Sequence, residues 1–138
     1  MMKALIPTGN LNDMVRFADV ATPVPAPTEV VVAVEAFSIN RGETFLLEKP
    51  RDRWRPGKDV VGRIVVAAAD GSGPPIGTRV VAHPPAGGWA ERVAVGVDRL
   101  ATLPDSVRSA DAAALPLAGL MALRLFRAAG SLAGRRVL

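Results

Sequence analysis

The first hundred residues contain short runs of β-branched and aliphatic residues separated by turn-forming segments. Residues 29–37 form one such run, which is too short and too rich in valine for a helix and predicts a strand. The proline-rich residues 22–27 exclude a central strand before it, because proline cannot donate a ladder hydrogen bond. The same pattern predicts three further strands and one short helix. The strands span residues 59–68, 79–82 and 90–95, and the helix spans residues 40–48.

The pattern changes after residue 108, where apolar positions recur at helical spacing. Ser109 is a suitable N-cap for a helix over residues 109–115, and Pro116 then interrupts the chain. A second helix is predicted over residues 117–129, with Gly130 as its stop signal.

Glycine- and proline-rich segments at residues 71–77 and 84–88 predict turns between the short strands. Closely spaced short strands of this kind favour a small barrel. We therefore predict a mainly β barrel domain over residues 1–108, followed by a helical connector over residues 109–138.

Length and composition limit the classes of protein to consider. The chain has 138 residues, 49% of them hydrophobic, which suffices for one domain with a sizeable core. It has no cysteine, so disulfides and thiolate metal sites are excluded and a reducing compartment is allowed. The N-terminus lacks the apolar core of a signal peptide, and no apolar run reaches the roughly 18–20 residues of a membrane span. We expect a cytoplasmic protein without a membrane partner.

The formal net charge of +4 raises the question of an anionic partner. Residues 49–58 form the concentrated basic run, and this run contains one aromatic residue, Trp54, whereas single-strand binders use several for stacking. We interpret the run as a solvated loop. Attraction of an anionic cofactor or substrate is the first alternative, and nucleic-acid binding, which we do not expect, is the second.

Several short motifs follow one another in an order typical of one superfamily. They are Ser38–Glu43, Pro56–Gly62, Gly77–Val81, Gly87–Val93 and Leu115–Leu123. Together they resemble the medium-chain dehydrogenase/reductases, and Asn40-Arg41 within the first motif resembles the quinone oxidoreductase-like branch. The resemblance implies an N-terminal GroES-like domain, a distorted Greek-key barrel that supplies the substrate side of the active-site cleft.

The chain contains no glycine-rich strand–turn–helix of the Rossmann kind. Residues 71–77 have the wrong glycine spacing, and their two prolines lack the N–H groups that would bind phosphate. Arg135–Leu138 resembles the first strand of a nucleotide-binding domain. The resemblance therefore implies that the chain is the N-terminal part of a longer NADP(H)- or NAD(H)-dependent oxidoreductase, with the missing nucleotide-binding domain as its partner. We expect no cofactor binding and no activity from the isolated chain.

Departures from the zinc-dependent branch of the superfamily bear on the chemistry. In that branch a cysteine stands near the position of Ser38 and a histidine at the position of Lys58. A catalytic zinc needs about three protein ligands, and a lysine ammonium repels the ion. The resemblance thus implies hydride transfer to a small quinone, enone or carbonyl substrate without zinc, and we assign no metal ligand.

Asn40 is the first candidate site residue, since the superfamily has an asparagine lining the cleft at this position. Its amide is expected to bond the substrate oxygen or the cofactor, and the alternative role is a cap of the helix that follows. His83 is the only histidine. It is a candidate proton source, and the alternative is a loop-edge imidazole bonded to backbone or water.

Leu117 and Met121 are expected on the nicotinamide side of the cofactor. Many members of the superfamily have threonine at the position of Met121, and methionine cannot replace its hydrogen bond. Arg41, Glu43 and Asp59 are interpreted as solvated charges, and the alternative is a direct role at the cleft.

Tyrosine is absent from the chain. The enoyl-thioester reductases of the superfamily use a tyrosine as proton donor, so we favour quinone or enone reduction. The alternative function is a noncatalytic binding or assembly module that associates through residues 117–129, whose apolar face is too large to leave exposed.

Overall fold

The computed structural model of the chain describes residues 1–136. Strands dominate these residues, and three helices accompany them. The strands are β1 Met2–Asn10, β2 Asp13–Val20, β3 Glu29–Phe37, β4 Val60–Val66, β5 Arg79–Ala82, β6 Arg92–Gly96 and β7 Leu100–Thr102; the helices are α1 Arg41–Glu48, α2 Ser109–Ala113 and α3 Pro116–Ala129.

Five strands form one antiparallel sheet in the order β6-β3-β4-β5-β7, and β1 pairs with β2 in a hairpin. The hairpin is a separate sheet that contacts the segment just before β6, because Leu5 N–H donates to Trp89 O at 2.8 Å and Glu91 N–H donates to Lys3 O at 3.0 Å. The curled sheet confirms the predicted mainly β, GroES-like barrel. All strand pairs in residues 1–136 are antiparallel, so this part of the chain contains no parallel βαβ unit for nucleotide binding.

Two hydrophobic clusters hold the barrel together. The larger one fills its interior with residues of β3 to β6, including Val32, Val60 and Ile64. Val61 follows Val60 and points to the opposite face of the sheet, where it packs against Ala112 and Ala113 of α2. Alternate residues of β4 therefore serve both clusters, and the second one fixes α2 against the barrel.

The structure confirms most of the predicted elements. β3 and β5 have the predicted bounds, and β4, β6 and the three helices begin and end within a few residues of the predicted positions. α3 ends at Ala129, and the predicted stop residue Gly130 follows as its C-cap with a positive φ of 70°. The sequence analysis missed β1, β2 and β7. The first two mix polar and apolar residues on an exposed hairpin, and β7 has only three residues. The strand start predicted at Arg135–Leu138 includes residues 137 and 138, which lie outside the described residues.

The prediction that Ser109 caps α2 is wrong. Ser109 is the first helical residue, and Arg108 occupies the N-cap. The Ser109 hydroxyl instead donates to Glu35 Oε2 at 3.0 Å and accepts from Arg79 Nη2 at 2.9 Å. This side chain connects α2 to β3 and β5, which a cap geometry would not allow.

Residues 71–77 form the predicted turn. Asp70 starts it by accepting hydrogen bonds from the Ser72 hydroxyl at 2.6 Å and the Ser72 N–H at 2.9 Å. These two donors hold the pKa of the Asp70 carboxyl below its usual value. The Asp70 carboxylate is thus bonded within the turn by Ser72, which agrees with a structural role for this segment.

The basic run at residues 49–58 is a solvated loop only in its first part, since Pro56 and Gly57 are buried. Residues 51–53 are exposed, and Asp52 pairs with Arg53 at 3.7 Å. No helix in residues 1–136 is long and apolar enough to cross a bilayer.

Trp89 joins the barrel to the segment after β3. It is buried, stacks on Phe37 with the ring centroids 5.4 Å apart, and donates from Nε1 to Ser38 O at 3.0 Å. We expect Trp89→Phe to lower the free energy of unfolding by about 1–2 kcal/mol, because the carbonyl loses its donor and the smaller ring leaves a gap. Urea unfolding measures the change, with Trp54→Phe in the surface loop as the matched control. An equal effect of both substitutions would contradict the prediction.

Candidate active site

A fully buried carboxylate, Asp59, is the centre of the polar residues at one end of the barrel. Its Oδ1 accepts from His83 Nδ1 at 2.8 Å and from Leu117 N–H at 3.1 Å. Its Oδ2 accepts from Asn40 Nδ2 at 3.0 Å and from the Ser38 hydroxyl at 3.1 Å. Four donors thus replace water around the carboxylate, which is what a buried charge requires.

Strand register brings these residues together. Phe37 of β3 lies opposite Val60 of β4, so the residues after β3 and the residue before β4 meet at the same sheet end. Val60 also lies opposite Ala82 of β5, which places His83 beside Asp59. The polar group therefore follows directly from three antiparallel strands that start or end together.

Glu43 is the second buried carboxylate. Its Oε2 accepts the Asn40 N–H at 3.1 Å, and its Oε1 accepts the Gly57 N–H at 2.6 Å. Glu43 thereby fixes the start of α1 and the loop that leads to Asp59. The interpretation of Glu43 and Asp59 as solvated charges is wrong, because both are buried and accept hydrogen bonds inside the protein. Arg41 is exposed, as interpreted, and its guanidinium lies 5.5 Å from the Phe45 ring centroid.

The amide nitrogen of Asn40 points to both buried carboxylates. It lies 3.0 Å from Asp59 Oδ2 and 3.4 Å from Glu43 Oε2. Asn40 also occupies the N-cap of α1. Its side chain is thus held rigidly in the polar group, and a direct contact with substrate or cofactor stays a prediction.

His83 lies immediately after β5, with 27% of its side chain exposed. The alternative of a histidine bonded only to backbone or water is wrong, since its Nδ1 binds Asp59. His83 also lines a groove of about 760 Å³ between α3 and the β5–β7 edge of the barrel. Its apolar walls include Val81, Leu100, Leu120 and Leu123.

Leu117 and Met121 lie on α3 four residues apart, and therefore on one side of the helix. Leu117 contributes its backbone N–H to Asp59, so the carboxylate lies at the positive end of the helix dipole. Met121 is 52% exposed. Neither residue lines the groove beside His83, and their contact with a nicotinamide ring stays a prediction.

Residues 1–136 contain no group of three or more histidine, cysteine, aspartate or glutamate side chains placed to hold a metal ion. Asp59 and His83 form a pair, and Leu117 N–H and Asn40 Nδ2, which also contact Asp59, are donors without a lone pair for a metal ion.

The curled antiparallel barrel, with a polar group at one end and a following helix whose first turn contacts that group, defines a GroES-like domain. Sequence and structure comparisons agree with this class.

The mouse quinone oxidoreductase is 33% identical over 128 residues, which are 88% of this chain and 39% of that protein. A mycobacterial protein solved in complex with NADPH matches 94% of this chain and 42% of its own, with a TM-score of 0.81 and 27% identity. A Rhizobium etli protein assigned to the zinc-dependent alcohol dehydrogenases matches 91% of this chain and 40% of its own, with a TM-score of 0.81; at 23% identity it shows the fold alone. No family model matches the chain.

The chain is similar to the N-terminal GroES-like domain of medium-chain dehydrogenase/reductases, with a quinone oxidoreductase among its relatives. It spans about two fifths of the length of the relatives it matches.

Proposed function

We propose that this chain is the substrate-side domain of a cytoplasmic, NADPH-dependent oxidoreductase that reduces a quinone, an enone or a carbonyl by hydride transfer without catalytic zinc. The observation that carries the proposal is the Asp59 group, which joins Asn40, His83 and the first turn of α3 beside an apolar groove. The mouse relative, a quinone oxidoreductase, supports the same reaction class.

The residues of this chain fit one side of a nicotinamide cofactor. When bound, such a cofactor supplies the hydride for the reduction. Leu117 and Met121 offer apolar surface next to the Asp59 group, suited to packing against a flat ring. The cofactor phosphates would be bound by the nucleotide-binding domain of the proposed longer protein, since the antiparallel strands of residues 1–136 lack the Rossmann phosphate loop.

Orientation and water exclusion are the proposed tasks of the barrel. Asn40 is immobilised by Asp59 and Glu43, and a rigid polar group orients a bound acceptor better than a mobile one. The apolar walls of the groove keep water away from the reacting atoms and strengthen the polar contacts inside.

Zinc independence is supported by the side chains at the positions where the zinc-dependent branch has ligands. Ser38 and Lys58 replace a thiolate and an imidazole there, and the chain has no cysteine at all. The Ser38 hydroxyl is engaged with Asp59. The proposed reaction therefore relies on hydrogen bonds and a proton donor to polarise the acceptor.

Calorimetric titration of the 138-residue chain with NADPH, with NADH for comparison, tests whether the cofactor site is shared between this chain and a nucleotide-binding domain. We expect no saturable binding at millimolar cofactor, because the chain supplies only the nicotinamide side. Saturable binding would show that the barrel and α3 form a complete cofactor site, which would contradict the proposed dependence on a nucleotide-binding domain.

A second candidate function is a noncatalytic binding or assembly module. It is favoured by α3, which buries none of its residues and exposes 63% of Leu125 and 59% of Phe126. Sedimentation of the chain distinguishes the two candidates. Self-association that is lost in Phe126→Glu and kept in the control Arg127→Glu would support the module, and a monomer at all concentrations would leave the reductase domain as the better proposal.

A further inference from the structure

We infer that His83 is the proton donor of the proposed reduction and that Asp59 is the positioning residue that fixes its ring. The inference rests on the proposed function and adds the source of the proton to it. A reduction by hydride needs one proton for each hydride, so a donor must lie beside the acceptor.

The contacts of Asp59 determine the state of the His83 ring. Leu117 N–H and Asn40 Nδ2 can only donate, and they occupy Oδ1 and Oδ2 respectively, as expected for an ionised carboxylate. An ionised carboxylate accepts, so the hydrogen on the His83–Asp59 bond belongs to Nδ1. Nε2 is then the ring nitrogen available to a ligand in the groove.

Among the polar side chains that line the groove, His83 is the one suited to donate a proton to the acceptor. The others are Asp98, Arg99 and Arg124. Arginine does not release its proton in proteins, and a carboxylate accepts hydrogen bonds instead of donating them. Imidazole is the usual side chain for general acid catalysis, and His83 is the only histidine in the chain.

The shape and polarity of the groove indicate the class of acceptor. Its walls combine aliphatic side chains with the three charged residues named above, its volume is about 760 Å³, and its polar group on the Asp59 side is the His83 ring. An apolar molecule with a carbonyl oxygen fits this arrangement, with the oxygen at Nε2 and the carbon skeleton against Leu100, Leu120 and Leu123.

For an enone, NADPH bound in the complete protein would supply the hydride that forms a C–H bond with the acceptor, and the π electrons of the acceptor would move to its carbonyl oxygen. The protonated ring of His83 gives its Nε2 proton to that oxygen, and the N–H bonding pair returns to the ring. Asp59 stays ionised and stabilises the imidazolium before transfer. Solvent then returns one proton to His83, so acceptor, NADPH and one proton become reduced acceptor and NADP⁺.

Nitrogen-15 NMR of the histidine-labelled chain tests the role of Asp59 directly, since one histidine gives one pair of ring signals. At a pH where the ring is neutral, we expect the hydrogen on Nδ1. In Asp59→Asn the major form should carry it on Nε2, and the control Asp19→Asn, at an exposed ion pair with Lys3, should match the unsubstituted chain. A ring with its hydrogen mainly on Nε2 in the unsubstituted chain would overturn the positioning role, even if Asp59→Asn fails to fold.

Kinetics of the natural protein, expressed from its whole reading frame, test the role of His83. With NADPH and an enone we expect His83→Gln to lower kcat by about 100-fold, the usual range for a lost general acid. The KM for NADPH should stay unchanged, and added imidazole should restore part of the activity of His83→Gly.

An unchanged kcat in His83→Gln beside an active unsubstituted protein would overturn this inference alone. An unsubstituted protein without any acceptor-dependent oxidation of NADPH would overturn the proposed function and this inference with it.

Discussion

Replacing Asp59 with alanine should lower the free energy of unfolding by about 3–5 kcal/mol, because it leaves four hydrogen-bond donors inside the protein without their acceptor. The four donors come from three separate parts of the chain. They are the Ser38 hydroxyl and Asn40 Nδ2 after β3, His83 Nδ1 after β5, and Leu117 N–H at the start of α3. The substitution therefore removes the contacts that connect the barrel end to the last helix.

Urea unfolding followed by tryptophan fluorescence measures this loss. Asp19→Ala is the matched control, since Asp19 pairs with Lys3 at 2.8 Å on the surface and should contribute less than about 1 kcal/mol. Similar changes for the two substitutions would mean that Asp59 does not hold the barrel end together.

Gly57→Ala should lower the free energy of unfolding by about 4 kcal/mol, because it introduces backbone strain and overpacking that contribute about equally. Gly57 has a φ of +117°, which residues with a side chain rarely adopt, and an added Cβ would lie 2.2 Å from Trp89 N. Neither problem can be relieved locally. The Gly57 N–H binds Glu43 and the Gly57 carbonyl accepts from Gly88 N–H at 2.9 Å, so the peptide is fixed on both sides.

Gly42→Ala is the control for this substitution. Gly42 lies in α1 with nothing within 4 Å of an added Cβ, and alanine there should raise the free energy of unfolding by about 0.5–1 kcal/mol. Thermal unfolding of both variants gives the comparison. A Gly57→Ala variant as stable as the Gly42→Ala variant would show that the loop before Asp59 tolerates a side chain and does not fix the site.

Much of the barrel could be predicted from local patterns, because valine-rich runs such as residues 29–37 are bounded by clear turn signals. The β1–β2 hairpin could not. Its residues, with Phe17 75% exposed, do not alternate cleanly between a buried and an exposed face, so the pattern gives no period of two. Its position was set by pairing with the distant segment around Trp89.

The candidate site could be predicted only in part from the sequence. Asn40 and His83 can be singled out by motif and by residue type, whereas the sequence alone indicates a solvated charge at Asp59, because charged residues at strand ends usually are solvated. Its burial depends on the register that aligns β3, β4 and β5, which a single sequence does not show. The signal that existed was the position of three polar residues, Ser38, Asp59 and His83, each at the end of a predicted strand.

The exposed side of α3 also shows what the sequence pattern does not predict. Its helical spacing was predicted correctly, yet the barrel buries none of its residues completely, since the groove separates Leu120 and Leu123 from β7. Periodicity identifies an apolar face, whereas the identity of its partner depends on surfaces elsewhere.

The most direct test of the proposed oxidoreductase is an assay of the natural protein, expressed from its whole reading frame and dialysed against EDTA, with NADPH and a set of quinones and enones. We expect acceptor-dependent oxidation of NADPH that persists without metal and is unchanged by added zinc. No oxidation with any acceptor, or activity that EDTA abolishes and zinc restores, would contradict the assignment of this barrel to a zinc-independent reductase.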